Sequence, residues 1–193
     1  LLSFVEKNAA LDEAVRDGRI QRGQKVLVEG ETMVNQLIDY DSATSGTSFR
    51  DASLEPFGMR LDSLEVDYIT PEDGNVQAIG LVTEYRANVT LINPDESEEP
   101  GVIRVNHPLR VHGSPIYLIA NGYAPTLTIR DTGGEIVYSE SMPFIPQDTN
   151  LTSLGVVKVP YGLEFEGEPT QLGLRGFFYP SKIDLESGAY SSS

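Results

Sequence analysis

The chain has 193 residues, enough for one domain, or one with a small appendage, around a sizeable core. Its 14 Lys and Arg stand against 29 Asp and Glu, a formal charge of −15 that argues against nucleic-acid binding and would repel an anionic membrane surface. The absence of cysteine excludes disulfides, thiolate metal sites and thiol redox chemistry.

Residues 1–5 form too short an apolar run for a signal peptide. Residues 9–15 carry a weak helical stripe of Leu11, Ala14 and Val15, and 25–29 (Lys-Val-Leu-Val-Glu) read as a strand. Thr32 is placed to cap a short helix that groups Met33, Val34, Leu37 and Ile38, and 41–46 read as loop. The period then becomes two. Phe57, Met59 and Leu61 alternate with polar or small residues, whereas Leu64, Val66 and Tyr68 follow on the opposite parity. That switch predicts a β-bulge at Asp62–Ser63. Residues 70–74 make a turn. The strand from Ile79 to Leu91 puts Tyr85, Ala87, Val89 and Leu91 on a buried face and Glu84, Arg86, Asn88 and Thr90 on a wet one, and Asn93-Pro94 ends it.

The acidic segment 95–101 lacks the spacing of a calcium loop and fits a solvated hairpin tip. Residues 111–129 carry no formal charge and are about as long as a membrane helix requires, but Pro115, Asn121, Gly122 and Pro125 suit two strands and a turn. Asn121-Gly122 predicts a hairpin between 116–119 and 126–129, and 131–134 predict another leading into 135–138. Strands are predicted at 156–159 and 172–178, and a frayed tail at 187–193. The chain therefore reads as mainly β: an antiparallel β-sandwich or meander with a small N-terminal helical element.

Chemistry-bearing motifs are sparse. His107 and His112, the two histidines, are candidate haem or metal ligands, although their odd spacing sends them to opposite faces of a strand unless Pro108 bends the chain. The plainer reading is an ordinary hydrogen bond for each. Arg104 and Arg110 are the local cations that would offset haem propionates. No nucleophile elbow, zinc-protease helix or phosphate loop occurs, so no catalytic set and no metal site is assigned. Phe177-Phe178-Tyr179 reads either as core or as an exposed docking patch.

Several blocks occur in an order that resembles the large extracytoplasmic domain of actinobacterial ResB-type proteins: Val28-Glu29-Gly30-Glu31-Thr32, Tyr40-Asp41-Ser42, Leu54-Glu55-Pro56-Phe57, Val105-Asn106-His107-Pro108-Leu109-Arg110-Val111, Asn121-Gly122-Tyr123-Ala124-Pro125, Ile129-Arg130-Asp131, Phe144-Ile145-Pro146-Gln147-Asp148 and Gly155-Val156-Val157-Lys158-Val159-Pro160. The resemblance implies a membrane protein of several helices. Its large domain would lie outside the cytoplasmic membrane and work with a ResC/CcsA-type haem-handling protein to attach haem to apocytochrome c. It implies a domain over 24–193 excised from such a protein, preceded by a helical or foreign segment over 1–23. Residues 1–20 carry seven charges and cannot span a bilayer. Some members are credited with a redox-active cysteine, which this chain lacks.

On that resemblance the expected role is a non-catalytic assembly module, with haem handled by the full complex and no cofactor resident in this domain. The expected interaction surface is Asn106, His107, Pro108, Leu109, Arg110, Asn121, Gly122 and Tyr123. Two alternatives stand beside it: a haem-binding domain using His107 or His112, and an unrelated secreted acidic β-sandwich that binds a glycan or protein.

Overall fold

The computed structural model of the chain describes residues 2–4, 21–46, 49–69, 82–148, 151–165, 167–183 and 190–192. Among them are β-strands, all paired antiparallel, and two short 3-10 turns, Leu37–Asp39 and Asp51–Ser53. The predicted helix at 9–15, the turn at 70–74 and the start of the strand at Ile79 lie outside the described residues. The fold is mainly β, as the alternating pattern requires. The chain divides into two compact units, Leu1–Asn121 and Gly122–Ser193.

The first unit holds two sheets. One has the order β4-β2-β1-β9-β8, made from β1 (Leu2–Phe4), β2 (Gln21–Lys25), β4 (Ser42–Ser45), β8 (Leu109–Val111) and β9 (Ser114–Leu118). The other has the order β3-β5-β6-β7, from β3 (Thr32–Val34), β5 (Gly58–Tyr68), β6 (Val82–Ile92) and β7 (Glu98–Arg104). Met33, Met59, Leu61, Ala87, Val89 and Ile103 come from the second sheet and Val111, Ile116 and Leu118 from the first; together with Leu27 and Phe57 they form one buried core. The bulge falls where the parity switch placed it. Leu61 pairs with Val89 and Ser63 with Asn88, so Asp62 is the extra residue, and Leu64 returns to the core side opposite Ala87.

Three expectations in this unit are overturned. The strand expected at 25–29 stops at Lys25, with a turn at Glu29-Gly30: the Val26 N–H donates to Asp41 Oδ2 at 2.6 Å, and the Val28 N–H to Glu31 Oε2 at 2.8 Å. Both donors are thus taken by carboxylates and not by a neighbouring strand. Thr32–Val34 is a strand and not a helix start, because pairing Met33 with Met59 buries both side chains while Ile38 stays exposed. Tertiary burial wins over a weak local period. Residues 42–45 form edge strand β4 against β2; their uniformly polar or small side chains are all exposed, so no alternation marks them.

The second unit contains the hairpin β10 (Thr126–Arg130) and β11 (Ile136–Ser141), the sheet β12-β13-β14 (Ile145–Pro146, Ser153–Phe165, Glu168–Phe178), and the pair β15 (Ser181–Ile183) and β16 (Tyr190–Ser192). Phe144, Val157 and Val159 form its core with Leu127, Ile129, Tyr138, Met142, Leu163, Leu172 and Phe178 around them. The 131–134 turn is present: Asp131 N–H donates to the Glu135 carbonyl at 2.9 Å, and Gly134 takes φ 91°. The strands predicted at 156–159 and 172–178 are the middle of β13 and the end of β14. Two expectations fail here. Tyr190–Ser192 is a paired strand, not frayed tail. Asn121-Gly122 joins the two units instead of forming a hairpin: β9 pairs with β1 and β8, β10 pairs with β11, and neither Asn121 nor Gly122 has the positive φ that a tight two-residue hairpin turn demands.

Candidate functional site

The stretch 104–118 is built from two successive tight turns. Arg104 and His107 exchange backbone hydrogen bonds (2.9 and 3.2 Å) around Val105-Asn106, with Asn106 at φ 62°, a left-handed conformation that Asn tolerates better than most residues. Pro108 leads into β8, and Val111 pairs with Ser114 across His112-Gly113. Both of those residues have positive φ, 48° and 85°, the signature of a type I′ turn. The structure therefore accounts for His112 as a turn residue, with its ring centroid 6.3 Å from that of Phe57. The two histidines stand at opposite ends of β8, about 16 Å apart along an extended chain. They do not converge.

His107 is exposed, and its Nδ1 lies 3.1 Å from the Val105 carbonyl oxygen. In the tautomer that donates there, Nε2 is left as an acceptor. Arg110 is exposed and has no carboxylate partner among the described residues, whereas Arg104 pairs with Glu84 at 3.4 Å. Leu109 packs over Gly101: a Cβ built there would meet Leu109 Cδ2 at 2.7 Å and Val89 Cγ2 at 3.2 Å. Within the expected surface, then, Asn106, His107 and Arg110 face solvent, while Pro108 and Leu109 are half-buried. Asn121 is the last residue of the first unit. Gly122 and Tyr123 belong to the second unit, where Tyr123 accepts from the Phe144 N–H at 2.9 Å and its ring lies 4.9 Å from that of Phe178.

The wet face of the second sheet is a carboxylate-rich ladder. Arg60 pairs with Asp62 (2.8 Å) and Glu98 (3.4 Å), and Arg86 with Glu65, Asp67 and Glu84. Five acids thus surround Arg60, Arg86 and Arg104. Hydrogen bonds from Thr90 and Arg60 hold the Asp62 carboxyl below its ordinary range. The acidic segment at 95–101 divides: the tip is Asn93–Ser97, where Asp95 accepts from the Ser97 backbone and hydroxyl, while Glu98 and Glu99 already belong to β7. Among the described residues no three His, Asp or Glu side chains gather to hold a metal, and no helix is long and apolar enough to cross a membrane.

Tyr40 is a feature that sequence reasoning missed. Its hydroxyl donates to Asn35 Oδ1, Asn35 Nδ2 donates to the Glu55 carbonyl at 2.8 Å, and its ring covers Gly23. Burial, then the charge of Asp39, pushes the phenol well above its ordinary range. This is a structural clamp between two elements; an isolated Tyr between polar residues gives no sequence signal for it.

Phe177-Phe178-Tyr179 splits between the two readings. Phe178 enters the core, and Phe177 and Tyr179 are exposed with ring centroids 6.2 Å apart.

The model of the ResB-like family matches residues 14–193, nearly the whole chain. The chain belongs to the ResB-like family. ResB-like proteins are membrane-associated components of cytochrome c biogenesis, and that role extends to this chain at the level of the family. Membership also sets aside the unrelated secreted β-sandwich. Comparison with curated proteins gave no match, and comparison with solved structures gave none either.

Proposed function

We propose that this ResB-like chain is a non-catalytic assembly module, held on the extracytoplasmic side of the cytoplasmic membrane. There it positions apocytochrome c and the ResC/CcsA-type haem-handling partner for covalent haem attachment. The family match over 14–193 carries the reading. The geometry is compatible with it. Strand β7 is the outer strand of its sheet and runs directly into the exposed Asn106, His107 and Arg110, so an unfolded client chain can add to that edge and meet those side chains. The carboxylate-rich face beside β7, in a chain of charge −15, attracts a basic client and speeds encounter in a salt-dependent way. Haem is cargo of the complex in this reading and has no resident site here.

The test is a covalent-haem stain of membranes from cells lacking the parent gene, rescued by the whole gene or by a version without this domain that still inserts in the membrane. Loss of c-type cytochromes that only the whole gene restores supports the module. Full staining without the gene overturns it.

One observation favours a second reading, in which the domain itself touches haem: the His107 Nδ1 contact to Val105 leaves Nε2 directed away from the backbone, as in axial histidine ligands oriented by a carbonyl. Haem titration would then give a ligation spectrum that disappears in His107→Ala. An unchanged spectrum in both His107→Ala and His112→Ala removes this reading.

A further inference from the structure

The sheet β12-β13-β14 has two unlike faces. Ser153, Gly155, Val157 and Val159 point inward and are buried. Strand register puts the alternate residues on the outer face in cross-strand rows: Ile145 beside Leu154 beside Phe177, then Val156 beside Arg175, then Lys158 beside Gly173. Leu154 is half-buried, and the other apolar members are open to solvent, with Ile145 at 45%, Val156 at 52%, Phe177 at 55% and the adjoining Tyr179 at 60% of full exposure. No acid stands in these rows; Glu164 shares the outer face but lies beyond the irregularity at 160–162, opposite Pro169. Lys158 and Arg175 are two of the four Lys and Arg at 122–193, where nine Asp and Glu also occur.

A face that gathers exposed aromatic and aliphatic side chains with the local cations, in a unit rich in acids, has the chemistry of the bilayer interface. Aromatic rings lodge at headgroup depth, and Lys and Arg meet lipid phosphates. We propose that the outer face of β12-β13-β14 rests on an anionic lipid surface, with Phe177, Tyr179 and Val156 entering the headgroup layer and Lys158 and Arg175 on the phosphates. The whole-chain charge of −15 does not forbid this. At physiological salt the screening length is about 8 Å, so a surface senses the cations it touches far more than carboxylates elsewhere on the molecule. A basic apocytochrome segment fits this face poorly because its charge has the wrong sign. Membership of a membrane-associated family supplies the bilayer.

The test is flotation of the full chain with vesicles of phosphatidylcholine alone or mixed equally with phosphatidylglycerol, at physiological salt. The chain is expected to float with the anionic vesicles and at least tenfold less with the neutral ones. Lys158→Glu/Arg175→Glu and Phe177→Ser/Tyr179→Ser, which alter exposed side chains, should each cut anionic flotation at least tenfold while leaving the circular dichroism spectrum unchanged. Arg50→Glu, on the other unit, should float like the parent. Absence of flotation, or equal flotation of parent and face variants, overturns the proposal. So does capture of the chain by the detergent-solubilised haem-handling partner through these same residues when vesicles capture none.

Discussion

Gly155 is the position where the second core tolerates no added atom. A Cβ built there would lie within 3.0 Å of three ring carbons of Phe144 (Cε2, Cδ2 and Cζ), a separation that real Cβ atoms essentially never show. The ring is not a loose end, since Phe144 is itself buried among Val157, Val159 and their neighbours. In Gly155→Ala the ring must retreat or β13 must bow. Moving a buried Phe ring fully into solvent costs about 1.5–3 kcal/mol, and overpacking in well-filled cores costs about 1–3 kcal/mol. Replacing a strand glycine by alanine returns about 0.5–1 kcal/mol through the unfolded chain. The net expectation is a loss of about 1.5 kcal/mol, which for a unit of about 70 residues is a fall in Tm on the order of 10 °C. Urea unfolding of the full chain, read by amide exchange at Val157 and Val159, isolates the second unit from the first. Gly176→Ala is the control: a Cβ there meets nothing within 4 Å, and that variant should be neutral or slightly stabilised. The decisive comparison is the double-mutant cycle. If the ring causes the loss, Gly155→Ala should cost little in a Phe144→Ala background. A penalty that stays undiminished there would refute the reasoning, as would a single-variant loss below about 0.5 kcal/mol.

Three further outcomes follow from the first unit. His112→Gly should keep the fold and raise stability by up to about 1 kcal/mol in thermal melts, because His112 sits at φ 48° where glycine carries no steric cost; His112→Val should lose at least as much. Tyr40→Phe should cost about 1–3 kcal/mol in urea unfolding, since it strips the donor from the buried Asn35 oxygen. Asp62 contributes stability above its unfolded value of about 3.8, and that contribution fades as pH falls through its lower folded value. Thr90→Val removes the largest cause of the shift. Carboxyl NMR should then show Asp62 titrating closer to the ordinary value, and the stability gap to the parent should close in acid rather than at neutral pH.

How much of this was legible depended on whether the deciding information was local. The Asp62 bulge was legible because one extra residue flips side-chain parity, and Leu61 followed by Leu64 displays the flip in the sequence itself. The turn at 131–134 was legible because Asp131 and Gly134 carry its hydrogen bond and its left-handed backbone. The Asn121-Gly122 hairpin failed although its dipeptide is the favoured one. The hairpin turn forms nine residues earlier at His112-Gly113, where Val111 and Ser114 pair, and 116–118 is committed to β8 and β1. The residues of the expected surface divide for the same reason: those that look contiguous as a signature fall into two units, and Val111, Ile116 and Leu118, which lie between Arg110 and Asn121 in the sequence, are core.

The outer face of β13 and β14 shows what sequence cannot supply at all. In Phe177-Phe178-Tyr179 nothing local says which ring turns inward. The choice is made by register: Ser153 pairs with Phe178 and Leu154 with Phe177. That register is set at the other end of the hairpin, where Pro160, Tyr161 and Gly162 stand opposite Gln171 alone before Leu163 meets Thr170. Two extra residues leave parity intact, so Leu163 rejoins Val157 and Val159 on the core side. One extra residue would have turned the distal strand over. A charge sum over the chain is blind to this arithmetic, and so the −15 that argues against a membrane surface for the whole molecule does not describe the strip where Lys158, Arg175 and Phe177 stand together.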